Sequence, residues 1–333
     1  MTNEMSPAMS VILPTPDTFE TIRRTVDALR AQSIADRLEL VIVAPAVDLP
    51  VEPVAVEGFA SVQVVGVGKI TSSNAARVAG IRVARAPIVA LAEDHCFPEP
   101  DWAAALLATH GEECAAVGPA LRNGNPGTAV SCANFLAEYG RWVGRLAGEI
   151  EELPGHNSAY RRALLLGYGD ELEELMAAES VIQEALRRSG ERLLLEPAAR
   201  AAHYSFSIFR SSVTLRYHGG RMFAGHRVRG WKWPRRLMYI VGAPLIPFVR
   251  LRRLLGPARR STGIAPWRLI PVLLLLLIVD GFGELVGYLV GPGDSDALLA
   301  SIEFHRERYM TSADRRSYKA ADVQRRPLVS QSS

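Results

Sequence analysis

The chain has 333 residues, 48% of them hydrophobic and 22% charged, with a formal net charge of +3. That is the make-up of a folded protein with one sizeable core and an appendage, and it excludes a disordered or collagen-like chain. Three cysteines, Cys96, Cys114 and Cys132, are odd in number and lack Cys-x-x-Cys spacing, which argues against a disulfide framework or a zinc knuckle and fits a reducing compartment.

No secretory signal is expected, because residues 1–10 have no cationic stretch leading into an apolar core. Residues 10–13 form a short apolar strand stopped by Pro14-Thr15-Pro16, after which Phe19, Ile22, Val26 and Leu29 recur at helical spacing. Strands follow at 38–43 and 62–65, then a helix at 75–84 capped by Ser72 or Ser73, then a fourth strand at 88–92. Such alternation predicts an α/β fold with a mostly parallel sheet flanked by helices. The fourth strand runs into Glu93-Asp94-His95 and a proline turn. Ligands of open α/β sheets sit beyond the carboxyl ends of the strands, and two carboxylates with an imidazole supply the ligand types for a divalent ion on a diphosphate. Gly66-Val-Gly68-Lys69 is followed by Ile70 rather than Ser or Thr, and its glycine spacing is wrong for a phosphate loop.

Further along, a helix is expected at 101–110, a strand at 115–117, a loop at 121–127, a helix at 172–189 ending at Gly190, and a strand at 192–195 stopped by Glu196-Pro197. After residue 209 the composition changes. Arginines crowd residues 210–260, which suggests a local anionic partner. Two apolar segments, 237–249 and 267–290, are separated by Arg250, Arg252, Arg253, Arg259 and Arg260, and together they read as a membrane-associated module. The second is long enough to cross a roughly 30 Å hydrocarbon core, but Asp280 and Glu284 lie four apart on one face that must meet protein. The first is short and carries Pro244 and Pro247. A spanning hairpin and helices that dip into one leaflet both remain open, with arginines on every side favouring the second. The expected units are therefore residues 1–209, residues 210–312 and a mobile polar tail at 313–333.

Four blocks now stand in order: Val11-Ile-Leu-Pro-Thr15 with its helix; Asn74-Ala-Ala-Arg77-Val-Ala-Gly80 leading into Glu93-Asp94-His95; Gly155-His-Asn157-Ser-Ala-Tyr160-Arg161-Arg162; and Glu179 followed by Leu186-Arg-Arg-Ser-Gly190 and residues 197–203. Over residues 9–205 the chain resembles family-2 glycosyltransferases, inverting enzymes of the GT-A fold that use nucleotide-diphosphate sugars. The resemblance implies donor contacts at Pro14, Thr15, Asn74, Arg77, Glu93, Asp94 and Asn157. It assigns the catalytic base to Glu179, a partly buried glutamate of raised pKa, and lets the backbone at Gly155 approach the donor. A divalent metal, Mn or Mg, is expected at Asp94, His95 and His203, the histidine in the last motif position favouring Mn. Ala44-Pro45 replaces the acidic residues that usually end the family's second strand, which leaves the nucleotide base open. The activity implied is transfer of a sugar to a hydroxyl of a lipid-linked or polysaccharide acceptor with inversion, by a membrane-associated enzyme facing the cytoplasm. Its partners would be a nucleotide sugar, that acceptor and membrane lipids, with no nucleic acid. Two other classes share the outline. A catalytically degenerate membrane scaffold is separated by nucleotide binding, and a sugar nucleotidyltransferase would carry a Gly-x-Gly loop with arginine where Pro14-Thr-Pro16-Asp17 stands.

Overall fold

The computed structural model of the protein describes residues 6–70, 72–111, 114–176, 179–260 and 264–320. The first part alternates as expected: β1 (Met9–Pro14), α1 (Phe19–Arg30), β2 (Leu38–Ala44), β3 (Ser61–Gly66), α2 (Ser73–Val83) and β4 (Ile88–Leu91). After the acidic link come β5 (Cys96–Pro98), α3 (Trp102–Thr109), β6 (Cys114–Asn123), α4 (Ala129–Tyr139), β7 (Gly148–Glu149) and β8 (Ala159–Arg161). Short helices α5 (Arg162–Leu166) and α6 (Leu172–Leu175) lead to α7 (Glu179–Arg188) and β9 (Arg192–His203).

One sheet runs in the order β3-β2-β1-β4-β8-β6-β9-β5, with β7 paired to β9. Strands β3, β2, β1 and β4 are parallel. The direction reverses at β8, which is antiparallel to both β4 and β6, so the sheet as a whole is mixed. Every residue of β1 and β2 is buried because helices cover both faces. Alternate side chains go opposite ways: Met9, Val11 and Leu13 join Phe19, Ile22, Val26 and Leu29 of α1 and Trp102 of α3, whereas Ile12 joins Val78 and Ile81 of α2 and Ile182 and Leu186 of α7. Each such fully buried aliphatic or aromatic side chain contributes about 1.5–3 kcal/mol of transfer free energy.

Two expected stops are bridged. Strand β6 continues to Asn123 through the expected loop, and β9 continues past Pro197 to His203. The parallel register slips so that Pro119 faces Glu196 but Ala120 faces Arg200. Pro197 therefore lies in an irregularity where its missing N–H is not needed. The helix expected at 172–189 is two helices, and Gly190, at φ 87°, ends the second.

The C-terminal part is helical: α8 (Phe209–Arg227), α9 (Trp233–Gly242), α10 (Ile246–Arg260), α11 (Pro266–Val290), α12 (Ser295–Glu303) and α13 (Ser312–Ala320). A 3-10 turn at Ala243–Leu245, containing Pro244, divides the first apolar segment. The apolar helix α11 lays Leu269, Leu273, Leu276 and Leu277 against Cys132, Ala133 and Leu136 of α4. Arg250 of α10 pairs with both Asp280 and Glu284, so the acidic face of α11 does meet protein. The tail expected from residue 313 begins instead as α13, whose Tyr318 ring packs on Phe97 and Tyr204; aromatic burial gives this polar segment an anchor. Residues 321–333, the rest of that tail, lie outside the described residues.

Candidate functional site

The carboxyl ends of β1 and β4 bring the site together. Thr15 is fully buried, its N–H donates to the Val43 carbonyl at 2.8 Å, and its hydroxyl donates to the Thr18 carbonyl at 2.7 Å. Pro14 and Thr15 thus fix the turn that leaves β1. Beyond β4, the Thr25 hydroxyl holds the Glu93 carbonyl at 2.9 Å, and the three acidic-block side chains diverge. His95 Nδ1 lies 2.6 Å from Asp94 Oδ1. Its other nitrogen, Nε2, lies 3.3 Å from Glu93 Oε2, and both of these atoms are buried without a hydrogen-bond partner. Antiparallel pairing of Cys96 with His203 sets the His203 ring edge-on to that of His95, 5.0 Å between centroids.

Glu93, His95 and His203 each offer a ligand atom within 4.8 Å of the others. Ligands about 2.1 Å from a transition-metal ion and adjacent in its coordination shell are roughly 3 Å apart, so the unpaired Glu93 and His95 atoms fit such an ion. Asp94, expected as a ligand beside His95 and His203, is displaced from that role by Glu93. Its carboxylate accepts from His95 Nδ1 and so aims Nε2 at the site, the outer contact that metal-binding histidines commonly make.

Arg77, expected to face the donor, is 4% exposed and spans two carboxylates. Its guanidinium reaches Glu179 Oε1 at 3.0 Å and Glu93 Oε1 at 3.4 Å, and Asn74 Oδ1 also accepts from it at 3.4 Å. His156, which has no role among the sequence expectations, completes this cluster: Nδ1 is 2.8 Å from Glu93 Oε1 and 3.6 Å from Glu179 Oε1. The only sequence signal for it was its place between Gly155 and Asn157. Gly155 is required by Glu179 rather than by an open donor channel, since a Cβ there would lie 2.5 Å from the glutamate Cγ. Asn157 is fully buried at φ 60°, a conformation Asn tolerates better than most residues; both polar atoms of its side chain lack partners.

Burial opposes charge throughout this cluster, and the neighbours decide the outcome. Burial raises the Glu93 carboxyl, but His156 and His95 outweigh it and hold the group well below the usual carboxylate range. Burial lifts Asp94 above its ordinary value against the pull of His95. For His95, burial and Arg306 disfavour the cation, yet Glu93 and Asp94 raise it to about 9. His203 is driven well below its normal value by burial, Arg306 and His95, and so is a neutral imidazole. Glu179, expected to be raised, is lowered: burial pushes it up, but His156 and Arg77 pull it further down.

Residues 10–167 match the family model described as Glycosyl transferase family 2. A comparison with curated protein sequences gave no match. Among solved structures, the mannosyltransferase PcManGT from Pyrobaculum calidifontis, in complex with GDP-Man and Mn2+, is 18% identical with a TM-score of 0.50, covering 96% of this chain and 87% of its own. TarS 1-349 of S. aureus in complex with UDP is 15% identical, with a TM-score of 0.44, over 84% of this chain and 90% of its own. GalNAc-T7 with UDP, GalNAc and Mn2+ gives 15% identity and a TM-score of 0.45 over 61% of this chain and 44% of that one. The likeness to PcManGT is one of fold.

Proposed function

We propose that this chain, whose residues 10–167 match the glycosyl transferase family 2 model, is a glycosyltransferase that moves a sugar from a nucleoside-diphosphate donor to an acceptor hydroxyl with inversion, at a membrane surface. The observation that carries this reading is one cluster in which a candidate base, Glu179, and a candidate metal triad, Glu93, His95 and His203, are joined through Arg77 and His156. Inverting transfer is a single displacement. The acceptor oxygen forms its bond to the anomeric carbon as the bond to the diphosphate oxygen breaks, and Glu179 takes the hydroxyl proton. Its lowered pKa means that it is ionised, and able to accept that proton, at neutral pH. A Mn or Mg ion held by Glu93, His95 and His203 would supply Lewis-acid neutralisation of the leaving diphosphate; the Mn2+ in the PcManGT complex is consistent with that. The buried, unpaired amide of Asn157 offers one donor group and one acceptor to sugar hydroxyls.

The acceptor class we propose, a lipid-linked or polysaccharide hydroxyl, follows from the helical region. Helix α11 is long and apolar enough to cross a membrane, but its surroundings oppose crossing. Arg250 contacts Asp280 and Glu284, Arg236 contacts the Leu289 carbonyl at 2.8 Å, and Arg221 contacts the Gly291 carbonyl at 3.1 Å. Guanidinium groups at hydrocarbon depth are costly. Only residues 269–279, between Arg268 and Asp280, are free of them, about 16 Å of helix, which is short of a roughly 30 Å core. Its outer face is nonetheless apolar. Trp267 is 70% exposed, and Phe282 of the same helix, Trp233 and Val241 of α9, Leu245 of the 3-10 turn and Phe248 of α10 are exposed as well. An in-plane seat in the cytoplasmic leaflet satisfies both facts, with the surrounding arginines on anionic headgroups.

The test is a donor screen with vesicle-reconstituted protein, reading released nucleoside diphosphate and the anomeric configuration of the product. One donor should be turned over, better with Mn2+ than with Mg2+, to an inverted product. Retention of configuration overturns the single-displacement reading, and full activity in excess chelator overturns the metal assignment.

A further inference from the structure

The strap that follows α11 returns to the candidate metal triad and delivers an arginine to it. Arg306 is 5% exposed, in the turn Arg306–Tyr309 after α12. One terminal nitrogen, Nη1, donates to the Tyr204 carbonyl at 3.0 Å and lies 3.3 Å from His203 Nε2. The other pairs with Glu303, whose carboxylate is itself 3.9 Å from His95 Nε2. The guanidinium sits 4.5 Å above the Phe206 ring, and its Nε is buried without a partner.

The strap is fastened on both sides of this arginine. Thr311 N–H donates to Ser207 Oγ at 2.9 Å, Met310 is buried with Phe97 and Tyr204, and the Tyr318 hydroxyl donates to the Asp94 carbonyl at 2.9 Å. Arg24 lies between the Phe97, Tyr204 and Tyr318 rings. Desolvating a guanidinium costs several kcal/mol unless charge and hydrogen bonds compensate, and here one carboxylate and one carbonyl do so while Nε is left over. A second conflict concerns His203. A single imidazole lone pair at Nε2 cannot accept from Arg306 and also ligate a metal ion.

We propose that Arg306 is a donor-binding residue, contributed by the C-terminal strap to the diphosphate of the nucleotide sugar; the inference rests on the glycosyltransferase reading above. With His203 Nε2 given over to a metal ion, the released Nη1 and the unpaired Nε are two donors on different edges of one planar guanidinium, able to reach separate oxygens of a diphosphate. Glu303, paired with Nη2, holds the guanidinium in place. The strap thereby links the helical region to the leaving-group side of the site.

Calorimetric titration of the full chain tests this in two stages: Mn2+ alone, then GDP, UDP, GMP and UMP in the presence of Mn2+. Arg306→Gln should bind the preferred nucleoside diphosphate about ten- to a hundredfold more weakly than wild type, the loss expected for a charge-assisted hydrogen bond. The monophosphate should change by less than about threefold, and Mn2+ alone should bind at least as tightly, since a competing cation is gone. Arg306→Lys keeps the charge without the planar guanidinium and should lose diphosphate affinity too; it decides the matter if the glutamine variant does not fold. Equal weakening of mono- and diphosphate, diphosphate affinity within about threefold of wild type, or weaker Mn2+ binding would each overturn the assignment. Absence of nucleotide binding by the wild-type protein would instead bring down the glycosyltransferase reading, and this inference with it.

Discussion

Glu179 owes its lowered pKa to residues that lie far from it in the chain. Arg77, 102 positions earlier, is 3.0 Å away, and with His156 it outweighs the upward push of burial and holds the carboxyl below its ordinary value. Glu179→Gln should lower turnover by about 10²–10⁴-fold while nucleoside diphosphate affinity stays within a few fold, because no leaving-group contact is lost; near-normal turnover in a folded variant would remove Glu179 from the role of base. The sign of the pH effect follows from the lowered pKa. A carboxylate depressed in the folded state adds stability that is present above its unfolded value, about 4.3, and lost as pH falls through the folded value. The acid limb of kcat/KM should therefore lie below the ordinary glutamate range, and Arg77→Gln should move it to higher pH; an acid limb unmoved by that substitution would show that another group controls it. From sequence, Glu179, Arg77 and Asn157 stand out as candidates because they fall in ordered motif blocks, and the fold sets Arg77 against Glu179. His156 and Arg306 were not. Their roles depend on which carboxylates the fold sets opposite them, and Arg306 stands 103 residues from His203.

At the scale of elements, periodicity made the run from β1 to β4 legible, since local apolar spacing alone decides each of those segments. It failed at the loop expected from residue 121 and at Pro197, where each strand runs on beside its parallel partner by slipping register. The continuation matters to the site, because it is what brings His203 beside Cys96 and His95. The contact of α8 with α11 was equally invisible, although its glycines were in plain view. A Cβ at Gly283 would stand 2.1 Å from the Tyr217 carbonyl oxygen, and one at Gly220 would stand 2.2 Å from that of Asp280. These backbones approach too closely for any side chain to stand between them. Gly283→Val should cost about 1–3 kcal/mol or more by overpacking, seen as a lower thermal midpoint. An unchanged midpoint would mean that α8 and α11 are not packed this closely in solution.

Over the whole molecule, exposed arginines and exposed large apolar side chains concentrate on the helices α9, α10 and α11. Arg235, Arg252, Arg253, Arg259 and Arg268 are exposed alongside the apolar residues of α9, α10 and α11. Each basic residue near an anionic surface is worth about 1 kcal/mol, and each buried apolar side chain about 1.5–3 kcal/mol, so the two together would suffice for the peripheral attachment proposed above. Ser261, between α10 and α11, lies outside the described residues, but its neighbours still distinguish the arrangements. Wild-type protein should sediment with vesicles containing 30% phosphatidylglycerol and less with neutral vesicles, and molar salt should weaken the attachment by screening the arginines. The triple variant Trp267→Ser, Val241→Ser, Phe248→Ser should lose most of the bound fraction at any salt, because the apolar contribution does not depend on screening. It should still release nucleoside diphosphate with a soluble acceptor analogue, since none of the three residues belongs to the candidate site. A cysteine at Ser261 in intact cells should stay unreactive to an impermeant external reagent when α11 lies in the cytoplasmic leaflet. Ready labelling there, with resistance of the bound protein to alkaline carbonate extraction, would overturn the in-plane arrangement. It would also require the guanidinium contacts of Asp280, Glu284 and Leu289 to be made inside hydrocarbon.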